Sequence, residues 1–152
     1  MHKLFIILFL SYFYHGFLQA EVVKKIEISG NKRVSSETIQ KYGDININKD
    51  YSEEDLNTIL TNLYSTNFFD SVKIKLSNGI LIVQVKEYPV INDLVILGED
   101  SKKYREKILE LISLKQNDSF IENRLTKDIE MIKKIYSSGG FNFVKIKTKT
   151  RK

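Results

Sequence analysis

The sequence predicts an α+β protein in which a strand, two helices and a two-stranded hairpin occur in this order and are then partly repeated. A hairpin is predicted because alternating segments flank Asn78-Gly79, a pair that suits the positive φ angles of a type I′ turn. Helices are predicted because apolar residues recur at helical spacing before and after this hairpin. The same series of patterns returns after about 70 residues, which indicates tandem modules.

Composition limits the functions that the chain can have. Its 152 residues suit one ordinary domain or two small ones, and 42% apolar with 28% charged residues is typical of a globular protein. Cysteine is absent, and both histidines, His2 and His15, lie near the N-terminus. The rest of the chain therefore lacks thiol nucleophiles and the commonest acid–base groups and metal ligands. We predict no enzyme activity, no metal and no cofactor.

Residues 1–20 have the pattern of a signal peptide. Residues 1–3 are basic, residues 4–14 are almost all apolar or aromatic, and Ala20 is a small residue at a suitable cleavage point. The apolar run is about half of the ~20 residues that a helix needs to span a bilayer, so a permanent anchor is the weaker interpretation. The sequence therefore predicts export and cleavage.

The net charge of +5 does not form a continuous basic face. Acidic and basic residues nearly balance from residue 21 to residue 144, and the excess lies near the C-terminus, at Lys145, Lys147, Lys149, Arg151 and Lys152. A nucleic-acid interface needs a basic patch or stripe. We therefore predict no nucleic-acid partner.

The first module begins with a strand over residues 22–29, in which Ile26 and Ile28 alternate with polar neighbours. Residues 30–33 form a turn, and a short helix follows over residues 36–42.

A second helix starts at Ser52, where Asp55 completes a capping-box pattern and Tyr51 and Leu56 stand where a hydrophobic staple would pack. Asn67 is its predicted end. The predicted apolar stripe consists of Leu56, Ile59, Leu60, Leu63 and Tyr64.

The hairpin covers residues 69–89, and its two-residue turn sets the register. Six apolar residues fall on one face when the strands are paired outward from the turn, whereas Lys73 and Lys75 fall on the other. Pro89 cannot donate to a ladder and ends the second strand. The opposing pairs on the apolar face are Leu76 with Leu81, Ile74 with Val83, and Val72 with Val85.

The second module repeats these signals. A strand is predicted over residues 94–97 before Gly98, and a helix over residues 101–112. Ser119 and Glu122 form a capping-box pattern at the start of the next helix. The apolar stripes of these helices are Tyr104, Ile108, Leu111 and Ile112, then Leu125, Ile129, Ile132 and Tyr136.

Gly139-Gly140 is the predicted end of the last helix, and residues 144–147 repeat the first hairpin strand. The counterpart of the second hairpin strand is missing, because the sequence ends at Lys152. In this order of elements, that strand is expected in the middle of the sheet, parallel to the first strand and antiparallel to its hairpin partner. We therefore expect an incomplete second module, as in an N-terminal fragment or a truncated chain.

These features together resemble POTRA domains. The resemblance rests on the export signal, the tandem modules and four passages of the sequence. These are GNKR at 30–33, YSEEDLN at 51–57, LYSTNFFDSVKIKL at 63–76 and VQVKEYPVI at 83–91. More narrowly, they resemble the first two POTRA domains of an outer-membrane protein assembly factor.

The resemblance implies a signal peptide at residues 1–20, a first POTRA domain at 21–88 and an incomplete second one at 89–152. Such domains form a periplasmic arm at the outer membrane that precedes a membrane-embedded β-barrel, which this chain does not contain. The implied partners are unfolded outer-membrane protein clients and the lipoproteins of the assembly complex.

Other classes of protein share this order of elements. The modules also suit POTRA domains of a two-partner secretion transporter, or of a division protein held by an uncleaved helix. A KH-like nucleic-acid-binding domain shares the order of elements, but it needs a G-x-x-G loop between its helices, and only Gly43 lies there. An enzyme is the weakest alternative.

The candidate polypeptide-binding site is the first hairpin strand, which is expected at the sheet edge. An extended client could add to that edge by β-augmentation. Lysines on an edge strand also prevent such pairing, so Lys73 and Lys75 support the opposite interpretation, and both stay open. The candidate residues are Ser71, Val72, Lys73, Ile74, Lys75 and Leu76.

Two other patterns have simpler explanations. The acidic residues at 50 and 53–55 lack the loop spacing of a calcium site and are interpreted as a helix start that favours the macrodipole. Gly139-Gly140 lacks the Lys-Ser/Thr of a phosphate loop and is interpreted as a helix stop.

Overall fold

The structure, a computed structural model, describes residues 21–151. They divide after Lys86 into two compact units, which we call unit 1 (21–86) and unit 2 (87–151). The predicted signal peptide lies outside the described residues. Among residues 21–151, no helix has both the length and the apolar character that crossing a membrane requires.

Unit 1 contains a three-stranded mixed sheet with strand β5 in the middle. The order is β2-β5-β4, and β2 runs parallel to β5 with Ile26 opposite Leu81 and Ile28 opposite Val83. The strands are β1 (Glu21–Val22), β2 (Lys25–Ser29), β3 (Asp50–Tyr51), β4 (Phe69–Ser77) and β5 (Ile80–Glu87). The helices are α1 (Ser36–Gly43) and α2 (Glu53–Ser65) in unit 1, and α3 (Lys102–Leu111) and α4 (Glu122–Ser138) in unit 2.

The predicted hairpin is confirmed. Asn78 and Gly79 have φ angles of 53° and 74°, as a type I′ turn requires, and this tight turn makes β4 antiparallel to β5. Lys73 and Lys75 are exposed, whereas the six apolar residues predicted for the opposite face belong to or pack against the core of unit 1. These six are Val72, Ile74, Leu76, Leu81, Val83 and Val85.

The first strand differs from the prediction because it is interrupted at Val23. This residue is fully buried, and its N–H donates to Lys49 O at 3.0 Å. The chain on its N-terminal side, β1, pairs antiparallel with β3, a pairing that the sequence patterns do not predict. Alternation alone could not reveal this break, because a two-residue strand has too few positions to show a period.

The helix starts of unit 1 agree with the prediction. The Ser52 N–H donates to Asp55 Oδ2 at 2.8 Å, and the Asp55 N–H donates to Ser52 Oγ at 3.2 Å, which is the predicted capping box. The Ser52 hydroxyl also donates to Asp55 Oδ2 at 2.6 Å, and this bond, followed by the one from the Ser52 N–H, lowers the pKa of the Asp55 carboxyl. Ser35 caps α1 by accepting from the Thr38 N–H.

Unit 2 has the two predicted helices, but the predicted strands over residues 94–97 and 144–147 are wrong: in the described part of unit 2, both segments lie outside the ladders. The physical reason is that both segments need a middle strand to pair with, and the described part of unit 2 has no counterpart of β5. Gly98 also lies beside the place where this strand would be expected, because no described atom is within 4 Å of a Cβ built there. Residues 94–97 still alternate, with Leu94 and Ile96 against the helices and Val95 and Leu97 exposed.

The predicted capping box of Ser119 and Glu122 is also wrong. Helix α4 begins at Glu122, with Ile121 at the N-cap and no side-chain cap. Ser119 is buried and forms an isolated β-bridge with Val90. This backbone pairing holds Ser119 outside the helix. A contact with a residue about 30 positions away therefore overrides the local capping pattern.

The predicted stripe of α3 is wrong at Leu111, which is 44% exposed.

A polar contact joins the start of α3 to α4. Glu99 accepts hydrogen bonds from the Tyr136 hydroxyl and, at 2.7 Å, from the Ser101 N–H, while the Tyr136 ring stacks on Tyr104 with centroids 5.1 Å apart. Burial, followed by the hydrogen bond to Glu99, raises the pKa of Tyr136 to about 12. The same Tyr136 hydrogen bond lowers the pKa of the Glu99 carboxyl.

We expect this contact to make unit 2 sensitive to alkaline pH. A raised tyrosine pKa stabilises the fold below the ordinary value of 10.0, and the contribution is lost as the pH rises toward about 12. The lowered pKa of Glu99 stabilises unit 2 above the ordinary value of 4.5, and this stabilisation is lost as the pH falls below that value. Denaturant midpoints of unit 2 should therefore differ between the wild type and Tyr136→Phe at neutral pH and converge at high pH. A constant difference across that range would contradict the expectation.

Candidate functional site

Strand β4 is one edge of the three-stranded sheet, as the sheet order β2-β5-β4 shows. The opposite edge is β2, which has five residues against the nine of β4. All candidate residues, 71–76, lie within β4. The longer edge offers more backbone groups to an added strand.

The regular part of this edge begins at Val72. Phe69 and Val72 are both buried although they are three positions apart, so the alternation changes phase between them, as at a β-bulge. Ser71 lies in this irregular stretch and is half-buried. From Val72 onward the strand alternates regularly between the core face and the open face.

A side chain from α2 contacts the edge at its first regular residue. The Val72 N–H donates to the Tyr64 hydroxyl oxygen at 3.0 Å, and that hydroxyl can donate in turn to the Val72 carbonyl oxygen at 3.5 Å. Both backbone groups of Val72 therefore face away from β5. Successive residues of a strand alternate in direction, so the N–H and C=O of Ile74 and Leu76 also face outward, whereas those of Lys73 and Lys75 face β5.

The two faces of the edge differ in chemistry. Ile74 and Leu76 are half-buried on the side of the helices, while Lys73 and Lys75 are exposed on the open face. Within residues 21–151, these two lysines form no ion pair, in contrast to Lys86, which pairs with Asp70. The site thus combines outward backbone groups, an apolar side and a positively charged side.

Tyr64 belongs to the predicted apolar stripe of its helix, but its contact with the edge was not predicted. Its side chain is 45% exposed, and its hydroxyl spans the gap to β4. A tyrosine at a stripe position near the end of a helix was the available signal, because a tyrosine hydroxyl usually finds a partner when the ring is partly buried. The spacing alone could not identify that partner.

The fold defines the class of this protein: an α+β protein of two units, in which unit 1 carries two helices on one side of a three-stranded sheet and unit 2 repeats the pair of helices. A family model described as "POTRA: Surface antigen variable number repeat" matches residues 12–88 and 89–152. The chain belongs to the POTRA family. The predicted tandem POTRA fold is thereby confirmed.

Two relatives share the name "Outer membrane protein assembly factor BamA". The protein from Neorickettsia risticii is 31% identical over 130 residues, and the one from Neisseria meningitidis serogroup B is 27% identical over 132 residues. Each alignment covers 86% of this chain but 17% of the relative, so the chain spans about a sixth of their length. The predicted resemblance to assembly-factor POTRA domains is confirmed.

A solved structure shows the same fold. The N-terminal domain of Omp85 from Thermosynechococcus elongatus superposes with a TM-score of 0.52 at 16% identity, covering 78% of this chain and 52% of that one. At this identity the likeness concerns the fold alone.

Proposed function

We propose that this chain belongs to the periplasmic POTRA arm of an outer-membrane β-barrel assembly factor. Residues 1–20 would be its signal peptide, 21–88 its first POTRA domain and 89–152 its second. The names of the two relatives support this assignment, together with the export pattern of the N-terminus. The arm would hold unfolded outer-membrane proteins and scaffold partner lipoproteins for insertion by a barrel outside this chain.

Client binding by β-augmentation at β4 is the proposed mechanism. It is supported by one observation above all: the sheet ends at β4, and the backbone groups of Ile74 and Leu76 face outward. Strands of an outer-membrane protein alternate apolar and polar residues, so they match an edge with one apolar and one polar side. Backbone pairing needs no particular client sequence. This suits a receptor for many clients.

Lys73 and Lys75 are compatible with this mechanism. Their side chains leave the strand on the open face, perpendicular to the direction in which a new strand would pair. They leave the outward groups of Ile74 and Leu76 accessible, and they favour clients with acidic residues on the open face. The opposing interpretation, that they prevent pairing, predicts that the wild type binds no extended peptide.

Ile74→Pro tests the mechanism. Proline removes the outward N–H but is tolerated at an edge position whose N–H faces solvent, so unit 1 should keep its fold. We expect about tenfold weaker binding of a blocked peptide of about ten residues that alternates valine with glutamate. Fluorescence anisotropy of a labelled peptide measures the affinity, and circular dichroism checks the fold.

Ile74→Ala is the matched control, because it shortens the same side chain and keeps the N–H. It should bind the peptide much more tightly than the proline variant. A folded Ile74→Pro protein with unchanged affinity would refute β-augmentation at this edge. Absence of binding by the wild type would refute it as well and would favour the protective role of the lysines.

A further inference from the structure

The contact between Tyr64 and Val72 imitates one residue of a pairing strand. An added strand would present a C=O to the Val72 N–H and an N–H to the Val72 C=O. The Tyr64 hydroxyl supplies both functions from a single oxygen, at 3.0 Å from the nitrogen and 3.5 Å from the carbonyl oxygen. The first outward pair of β4 is therefore already occupied in the free protein.

The next outward residues differ from Val72. Ile74 and Leu76 face the same direction, and no side chain among residues 21–151 bonds to their outward groups. The edge thus has an occupied end near α2 and an open part near the Asn78-Gly79 turn. An incoming strand meets this boundary between Val72 and Ile74.

We propose that Tyr64 sets the register of the client strand. The client pairs with Ile74 and Leu76, and the Tyr64 hydroxyl excludes it from Val72. This inference rests on the proposed binding at β4 and adds which residues pair and why the pairing stops.

The chemistry of the client follows from this register. Residues directly opposite each other in a sheet share a face, so the client residues opposite Ile74 and Leu76 lie on the helix side and should be apolar. The intervening client residues lie on the open face beside Lys73 and Lys75, where acidic side chains are favoured. The fitting partner is an extended segment that alternates apolar and acidic residues.

Tyr64→Phe tests the inference because it keeps the ring and removes only the hydroxyl. In the wild type, amide hydrogen exchange should show Val72 protected without peptide, and the valine–glutamate peptide should add protection at Ile74 and Leu76 only. In the variant, Val72 should exchange freely until the peptide is added and should then become protected. The peptide affinity should rise about fivefold, because one more backbone pair forms.

Tyr42→Phe is the matched control, since Tyr42 is 49% exposed in the same unit and packs against Phe68. It should change neither the affinity nor the protected residues. Equal affinity and equal protection in the wild type and in Tyr64→Phe would overturn the inference while leaving binding at β4 intact. If the peptide binds neither protein, both the inference and the proposed function are refuted.

Discussion

Replacing Gly30 with alanine should destabilise unit 1 by about 3 kcal/mol. Gly30 has a φ of 85°, which L side chains rarely adopt. A Cβ at this position would also lie 2.0 Å from the Val85 carbonyl oxygen, far inside van der Waals contact. That oxygen belongs to the middle strand β5, so the clash can be relieved only by shifting a strand that has neighbours on both sides.

The expected loss is large relative to the stability of the unit. A unit of this size is held by about 3–10 kcal/mol. Because β5 also supports the edge strand β4, the variant should weaken the proposed binding of extended peptides together with stability. Urea unfolding, with hydrogen exchange of the β5 amides as the probe, measures the change in free energy.

Gly98→Ala is the matched control for this experiment. Gly98 occupies the corresponding place in unit 2 and has a similar φ of 76°, but among the described residues nothing lies within 4 Å of a Cβ built there. It shares the backbone strain and lacks the clash, so its cost should be about 1–2 kcal/mol. Equal losses for the two variants would show that the approach to Val85 has no effect.

Local chemistry explains which elements could be predicted from the sequence. The hairpin depends on a turn whose two residues, Asn78 and Gly79, adopt positive φ, and α2 depends on a reciprocal bond between Ser52 and Asp55. In each case, the residues that determine the structure are within four positions of one another. The strand that carries the candidate site was predictable for the same reason.

Contacts between distant residues explain the rest. Ser119 has a capping-box partner in the sequence, but its backbone pairs with Val90 instead. The contact of Tyr64 with Val72 depends on how α2 packs on the sheet, and no spacing rule encodes it. The edge itself could be predicted, whereas the occupied first position of that edge required the structure.

Replacing Asp128 with alanine should destabilise unit 2 by about 2–4 kcal/mol. Asp128 lies on α4 and is 6% exposed. Its Oδ1 accepts from the Ser113 N–H at 2.7 Å, and its Oδ2 accepts from the Leu114 N–H at 2.9 Å. The carboxylate thus fixes the segment after α3 to α4 through two charge-assisted hydrogen bonds.

The cost arises mainly at Leu114. Its N–H is buried and would lose its partner in Asp128→Ala, whereas Ser113 is exposed and its N–H can bond to water. Asp128→Asn keeps one accepting oxygen and should lose less, and Glu130→Ala, at an exposed position of the same helix, should change stability little. In urea unfolding of unit 2, the loss of stability should therefore be largest for Asp128→Ala, smaller for Asp128→Asn and smallest for Glu130→Ala. Indistinguishable losses for Asp128→Ala and Glu130→Ala would mean that the carboxylate does not hold the two helices together.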